Sequence, residues 1–266
     1  MPDKSTMILG AAIGLEVSAV RVFVESLRRH YQGDAILLVG SRNVSLVDYL
    51  RSRRIIPVYF DSAYWMVCHV QLSRFFRYGE LLRPASRPYE RILLTDVSDV
   101  VFQGDPFADL PAGELLCFME EPGRTIGTDP MNSQWVREVF GDEGLDRIAS
   151  DPISCSGTTI GSHRAIVDYI DRLAAHANPE ILVRHRDVRG HDQGIHNFLI
   201  HTGALPGAVM IANGGHILTM GAMAKDGFAM GAEGLILNAD GHICPIVHQY
   251  TYHPAARQHV EDAYRS

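Results

Sequence analysis

Short apolar runs alternate with helix-period patterns through the first hundred residues. Residues 7–13 (MILGAAI) read as a buried strand, 16–31 as an amphipathic helix, 34–40 (DAILLVG) as a strand and 45–54 as a short helix. A strand over 55–60 (IIPVYF), a helix over 62–82 and a fourth strand over 91–96 (RILLTD) continue the series. Strands apolar on both faces and separated by helices predict a mostly parallel sheet with helices covering it, an α/β fold. Ligands of such sheets sit beyond the carboxyl ends of the strands, and Asp96 stands at one of those ends.

The second half is less regular. Residues 114–120 (ELLCFME) read as a strand, 133–149 as a helix, 152–162 (PISCSGTTIGS) as a glycine-interrupted strand and 163–177 as a strong helix. A further helix is expected over 190–203, with Gly203 as its stop, followed by a strand over 208–213 (AVMIAN). Between Gly214 and Gly234 the glycines at 221, 227, 231 and 234 predict a mobile loop. A strand around 242–250 (HICPIVHQY) and a tail helix from Pro254 close the chain. With no internal repeat, low-complexity tract or linker, the reading is a single domain over 1–266.

Composition narrows the classes of function. With 46% hydrophobic and 21% charged residues in 266, the chain is of ordinary globular make-up. No run approaches 18 uncharged apolar residues: MILGAAIGLEVSAV meets Glu16 early and lacks a basic leader and a cleavage site. The expectation is a soluble protein without a transmembrane segment. Cys68, Cys117, Cys155 and Cys244 are scattered and form no CxxC pair, which suggests neither a zinc knuckle nor a disulfide scaffold but reduced thiols in the cytoplasm. A net charge of -7 and a pI near 6.0 argue against nucleic acid as a partner. An anionic substrate would need local arginines or a metal to hold it against that field.

The chemistry concentrates in residues 91–107, RILLTDVSDVVFQGDPF. Burying an unpaired carboxylate costs several kcal/mol, so Asp96 and Asp99, set in so apolar a run, need compensation. Residues three apart in a strand point to opposite faces, so both can face one ligand only where the chain turns between them, and Ser98 suits a turn. Carboxylates so placed fit a hard cation such as Mg²⁺ or Mn²⁺. Two aspartates that merely cap a loop and a helix start are the alternative.

The stretch LLTDVSDVVFQGDPF resembles the strand, acidic motif and following DPF segment of nucleotide-sugar-dependent glycosyltransferases of the GT-A fold. The resemblance is close to their retaining branch, glycogenin-like and lipopolysaccharide-galactosyltransferase-like. The family motif is aspartate-any-aspartate; here, at Asp96-Val97-Ser98-Asp99, it is one residue longer. Four further stretches follow in the family's order and extend the resemblance over most of the chain. QLSRFFRYGELL (71–82) matches a helix whose arginine reaches the active site, at Arg74, with Arg77 one turn on. SCSGTTIGS (154–162) matches a strand whose small residue and glycine, Ser156 and Gly157, admit the donor sugar; a β-bulge without a ligand is the plain alternative. GHDQGIHNFLIH (190–201) matches an Asp-Gln pair, Asp192 and Gln193, with Asn197 one turn further. PIVHQYTYHP (245–254) matches a C-terminal strand whose histidine, His248, completes the metal site.

The resemblance implies one GT-A-like, Rossmann-like domain, with 1–110 as its nucleotide-binding half and 111–266 as its donor-sugar and acceptor half. It implies Mn²⁺ or Mg²⁺ on Asp96, Asp99 and His248, and donor contacts from Arg74, Asp96, Ser156, Gly157 and Asn197. The donor would be a UDP- or GDP-linked sugar and the acceptor a carbohydrate, lipid or protein. Transfer with retention would place Asp192 and Gln193 at the anomeric carbon; an inverting enzyme would need a general base, for which Glu120 and Glu121 are the nearest choice. A sugar-phosphate nucleotidyltransferase is a second reading, although GAAIGLEVSAVR has that class's glycines without its lysine. A nucleotide-sugar-binding protein without turnover is a third. Two local patterns carry nothing. His191, His196 and His201 step by five residues, a rotation of about 140° on a helix, and share no face. GAMAKDGF lacks the spacing of a phosphate loop.

Overall fold

The computed structural model describes residues 5–40, 43–60, 69–177, 180, 183, 189–224 and 227–265. The first half forms β1 (Thr6–Ala11), α1 (Val17–His30), β2 (Asp34–Gly40), α2 (Val44–Ser52), β3 (Ile56–Phe60), α3 (Val70–Leu82) and β4 (Arg91–Thr95), in the order the apolar pattern predicts. The expected helix over 62–82 is described only from Val70, and Cys68 lies outside the described residues. Then follow β5 (Val100–Phe102), β6 (Leu115–Met119), α4 (Pro130–Asp146), β7 (Ser154–Gly161), α5 (His163–Ala175), α6 (His191–His201) and β8 (Ala208–Ile211). The C-terminal part holds β9 (Ile217–Thr219), β10 (Phe228–Met230), β11 (Ile236–Asn238), β12 (Ile246–His248) and α7 (Pro254–Ala263).

Seven strands form the central sheet, in the order β3-β2-β1-β4-β7-β6-β8. Only β7 runs antiparallel to its neighbours β4 and β6, so the sheet is mostly parallel, as expected. Alternation sorts its side chains. Met7, Leu9, Ile92 and Leu94 pack on one face against Leu72 and Phe75 of α3, Ile166 and Tyr169 of α5 and Ile195 of α6. Ile8, Leu37 and Leu93 pack on the other against α1 and α2 and against a small sheet, β5-β12-β9. The α1 positions in that contact, Val20, Phe23, Val24 and Leu27, recur at helical spacing and are fully buried, each contributing about 1.5–3 kcal/mol relative to exposure. Among the described residues no helix is long and apolar enough to cross a membrane.

Three departures from the sequence reading have local causes. The helix expected over 133–149 starts at Pro130, because Asp129 caps it by accepting from the backbone of Met131 and Asn132, and it kinks at Gly141, whose φ is 72°. The glycine-rich stretch from 214 to 234 is not a plain loop: it contributes β9 to the small sheet and pairs β10 with β11. Lys225 and Asp226 of that stretch lie outside the described residues. The expected C-terminal strand shrinks to Ile246–His248, paired antiparallel to β5 and parallel to β9.

That small sheet carries His248, and one side chain ties it together. Gln103, just past β5, donates from Nε2 to the carbonyls of Ile236 (2.9 Å) and Cys244 (3.1 Å) and accepts from the Ile236 amide (2.6 Å). Gln103→Leu keeps the bulk and strands those three buried backbone groups, at an expected cost of about 2–4 kcal/mol. Urea unfolding checks this, and an unchanged midpoint would show that the amide is not the clamp.

Candidate metal centre and its surroundings

Asp96 follows β4, and the chain turns over Val97–Asp99 before β5 begins. The turn that the two-carboxylate reading required is therefore present. Gly10, beside it on β1, leaves room for the turn to fold onto the sheet end: a Cβ there would stand 2.6 Å from Val97 Cγ2. His248 arrives on β12 with its Nε2 3.5 Å from Asp96 Oδ2 and 3.8 Å from Asp99 Oδ1. One ligand atom from each of the three residues falls within 4.8 Å of the others, so the group could hold a metal ion. His248 is 0% exposed, and both its Nε2 and Asp99 Oδ1 are buried without a hydrogen-bond partner. Unpartnered ionisable atoms that converge in this way fit a cation.

The same carboxylate is gripped from the opposite layer. Arg74, 6% exposed on α3, pairs with Asp96 Oδ1 through Nη1 and reaches Asp192 Oδ2 at 3.2 Å through Nη2. Ser156 Oγ donates to the same Asp192 oxygen at 3.3 Å. Arg74, Asp96, Ser156 and Asp192 are thus one connected set. Arg77 is not part of it; its guanidinium pairs with Glu80 at 2.7 Å.

Three carboxylates, Asp96, Asp99 and Asp192, share one guanidinium and one imidazole. Burial pushes the Asp96 carboxyl up, but the adjacent Arg74 and His248 outweigh it and hold it well below the usual range. Asp99 is raised by burial, with the neighbouring Asp96 charge adding to the shift. Asp192 is raised by burial against the opposing pull of Arg74. Burial alone would lower the His248 ring, and the neighbouring Cys155 and carboxylates reverse that and raise it.

Gly157 is the residue that lets these parts meet. Its carbonyl accepts from the Asp96 amide at 2.8 Å, and a Cβ on it would stand 2.5 Å from His248 Cε1 and 2.6 Å from Asp96 Oδ2. The pairing of β6 with β7 is irregular here: between Met119↔Ser154 and Cys117↔Thr159, β6 advances two residues and β7 five. The bulge offered as a ligand-free alternative is therefore real and lies at the site, where bulges re-aim side chains. Through it, Cys155 and Gly157 meet His248 while Ser154 and Ser156 reach α6. Cys155 Sγ lies 3.5 Å from His248 Nδ1, a contact the sequence reading missed because facing cannot be read by alternation through a bulge.

Around the Asp-Gln pair each side chain has definite partners. Gly190 begins α6 with φ 99°, and a Cβ there would run into the Trp135 ring, so glycine is required on two counts. Gln193 Nε2 donates to Glu120 Oε1 (2.9 Å) and Asn132 Oδ1 (3.0 Å), leaving the Gln193 carbonyl oxygen without a partner among the described residues. Burial raises the Glu120 carboxyl; Glu121 makes no such contact. Asn197 was expected at the donor. Instead its amide accepts from Ser154 N (2.8 Å) and donates to the carbonyls of Ser154 and Gln193 (both 2.9 Å), which commits it to holding β7 against α6. The three histidines of α6 go to separate partners: His191 to Glu138, His196 to Ser154 and Tyr169, His201 to the Pro152 carbonyl. A cavity of about 650 Å³, bounded by Ser18 and Arg21 of α1 and by Tyr250 and Thr251, adjoins the acidic turn at Ser98 and is not lined by Asp96, Arg74 or Asp192.

Compared with known proteins, the chain matches no protein-family model and no curated protein.

Gly157→Ala is expected to force His248 and Asp96 apart, costing about 1–3 kcal/mol of stability and at least tenfold in Mn²⁺ affinity. Thermal unfolding and calorimetric titration with Mn²⁺ measure the two effects, and an alanine variant with the parent's Mn²⁺ affinity would remove Gly157 from the site.

Proposed function

We propose that the chain is a metal-dependent glycosyltransferase of GT-A type, moving a sugar from a nucleoside diphosphate to an acceptor hydroxyl with retention. The observation that carries this reading is the buried Asp96–Asp99–His248 group, assembled from stretches about 150 residues apart and joined through Asp96 and Arg74 to Asp192. Four of the stretches that resemble the family thereby meet at one place.

Asp96, Asp99 and His248 would hold Mn²⁺ or Mg²⁺, which supplies charge stabilisation for a departing diphosphate. Arg74 adds a fixed positive charge beside that position, orients Asp192 and opposes the upward shift that burial gives its carboxyl. Gln193, its amide nitrogen tied to Glu120 and Asn132, turns its carbonyl oxygen to the sugar face, where it stabilises positive charge at the anomeric carbon. The cavity beside Ser98 is of a size to take a nucleoside. The position of Glu120 favours one other reading. A carboxyl raised by burial and bonded to Gln193 could serve as the base of an inverting transfer, with Gln193 as its orienter.

Two measurements test the proposal. Asp99→Asn, isosteric and at a turn, is expected to abolish metal-dependent binding of UDP or GDP with the fold intact, and His248→Ala to weaken metal and nucleotide together. Calorimetry that finds either variant binding Mn²⁺ and nucleotide like the parent removes the metal from the reading. Incubation with a panel of nucleotide sugars and Mn²⁺ should release nucleoside diphosphate; pyrophosphate-dependent exchange would mark a nucleotidyltransferase, and binding without turnover a non-catalytic protein.

Stereochemistry separates the two transfer readings. The anomeric proton of the product, read by NMR, is expected to show an α-linked donor giving an α-linked product. A β-linked product would shift the chemistry to Glu120. Asp192→Asn and Gln193→Ala should lower kcat far more than donor affinity, because both groups act on charge that develops in the transition state.

A further inference from the structure

His248 must present one particular nitrogen to the carboxylates. Its Nε2 faces Asp96 and Asp99, is buried, and has no hydrogen-bond partner. A ring flipped about Cβ–Cγ would offer them a carbon, and a ring protonated on Nε2 would offer no lone pair. Backbone pairing of β12 with β5 and β9 fixes where His248 starts, not how its ring is turned. The remaining polar contact of the ring is Nδ1 to Cys155 Sγ, 3.5 Å, between side chains 0% and 1% exposed. Among the described residues no other side chain bonds to Nδ1.

We infer that Cys155 is a positioning residue for the metal group: its sulfur accepts the Nδ1–H of His248 and so holds the ring in the tautomer and plane that aim the Nε2 lone pair at Asp96 and Asp99. Metal-bound histidines generally donate their other ring N–H to an acceptor that fixes the ring, and loss of that acceptor typically costs about 10–100-fold in metal affinity. The bulge in β7 is what delivers the sulfur, since it lets Cys155 reach His248 from the same strand on which Gly157 clears the space beside it. The inference rests on the metal reading above and adds to it a residue that touches neither metal nor substrate.

The test is calorimetric titration with Mn²⁺ alone, without nucleotide, on the parent, Cys155→Ala and Cys155→Ser. Alanine removes the acceptor and is expected to weaken Mn²⁺ about 10–100-fold. Serine keeps an oxygen acceptor and is expected to recover a large part of that loss, although both variants trim the same buried sulfur and lower the unfolding temperature. In protein labelled with ¹⁵N-histidine and loaded with Cd²⁺, the ion should reside on Nε2 with Nδ1 protonated. Mn²⁺ affinity in Cys155→Ala equal to the parent's, equal losses in the alanine and serine variants, or Cd²⁺ on Nδ1 would each overturn the role of Cys155 while leaving the metal group standing. A parent that binds neither Mn²⁺ nor Cd²⁺ would overturn the metal reading and this one with it.

Discussion

Everything at the site depends on one carboxylate held from two sides. Asp96 Oδ1 is taken by Arg74 from the helical layer of α3, α5 and α6, and Oδ2 faces His248 from the small sheet on the opposite layer. The central sheet ends at this residue, so the two layers that it keeps apart elsewhere meet across a single side chain. The arrangement explains why Asp96 stays ionised despite its burial: the guanidinium and the imidazole together outweigh the desolvation. It also explains the need for something further. One guanidinium cannot neutralise Asp96, Asp99 and Asp192 together, and a second charge on His248 would occupy the only nitrogen it turns to the carboxylates. A divalent ion would balance the group more fully, and would let His248 serve as a neutral ligand.

The helical layer contributes rigidity to that arrangement. His196 is a buried neutral ring, its pKa lowered to about 3 chiefly by burial; it receives from Tyr169 at 2.9 Å and donates to Ser154 at 3.0 Å. Ser154 Oγ donates in turn to the Phe118 carbonyl at 3.2 Å, and Asn197 brackets the Ser154 backbone from both sides. A chain of this kind, with its members satisfied, specifies one position for β7 against α6. Gly157 and Ser156 inherit that position. The tolerance is small, because a shift of β7 by a fraction of an ångström toward His248 would close the gap that Gly157 leaves.

How far the sequence predicts this structure depends on the range of the interaction. Strands and helices of the first half follow from apolar periodicity, because each is a local pattern that the sheet then confirms, whereas the turn between Asp96 and Asp99 is only the condition under which both could face one ligand, with Ser98 suited to it. The meeting of Arg74, Asp96, Asp192 and His248 is legible only through the order of motifs along the chain, since no local rule connects positions so far apart. Three features escape such reasoning for physical reasons. The bulge in β7 breaks the two-residue period, so Cys155 could not be assigned to the His248 face. The resemblance implies a donor contact for Asn197, yet its amide is bonded to backbone groups that only the packing of α6 on β7 brings near. The glycines of 214–234 suggest a loop, but two short strands form there because neighbouring segments supply edges to pair with.

An unpartnered buried atom is not by itself a sign of a ligand. The hydroxyls of Tyr78, Thr158 and Thr219 are also buried without partners, and a neutral hydroxyl left so costs only about 1–3 kcal/mol. Asp99 Oδ1 and His248 Nε2 differ in being ionisable and in lying 3.8 Å apart, with Asp96 Oδ2 beside them. Two carboxylates placed together repel, which adds to the upward shift that burial gives the Asp99 carboxyl, and apolar packing of equal volume would avoid that cost. Ser154 and Ser156, which reach α6 from β7, are meanwhile bonded to His196 and Asp192. The ionisable atoms on the other side, Asp96 Oδ2, Asp99 Oδ1 and His248 Nε2, are the ones that could hold a metal ion. Arg74 connects that group to α6: one guanidinium nitrogen pairs with Asp96 and the other reaches Asp192 at 3.2 Å, so a change in charge at Asp96 is felt at the start of the helix that also carries Gln193.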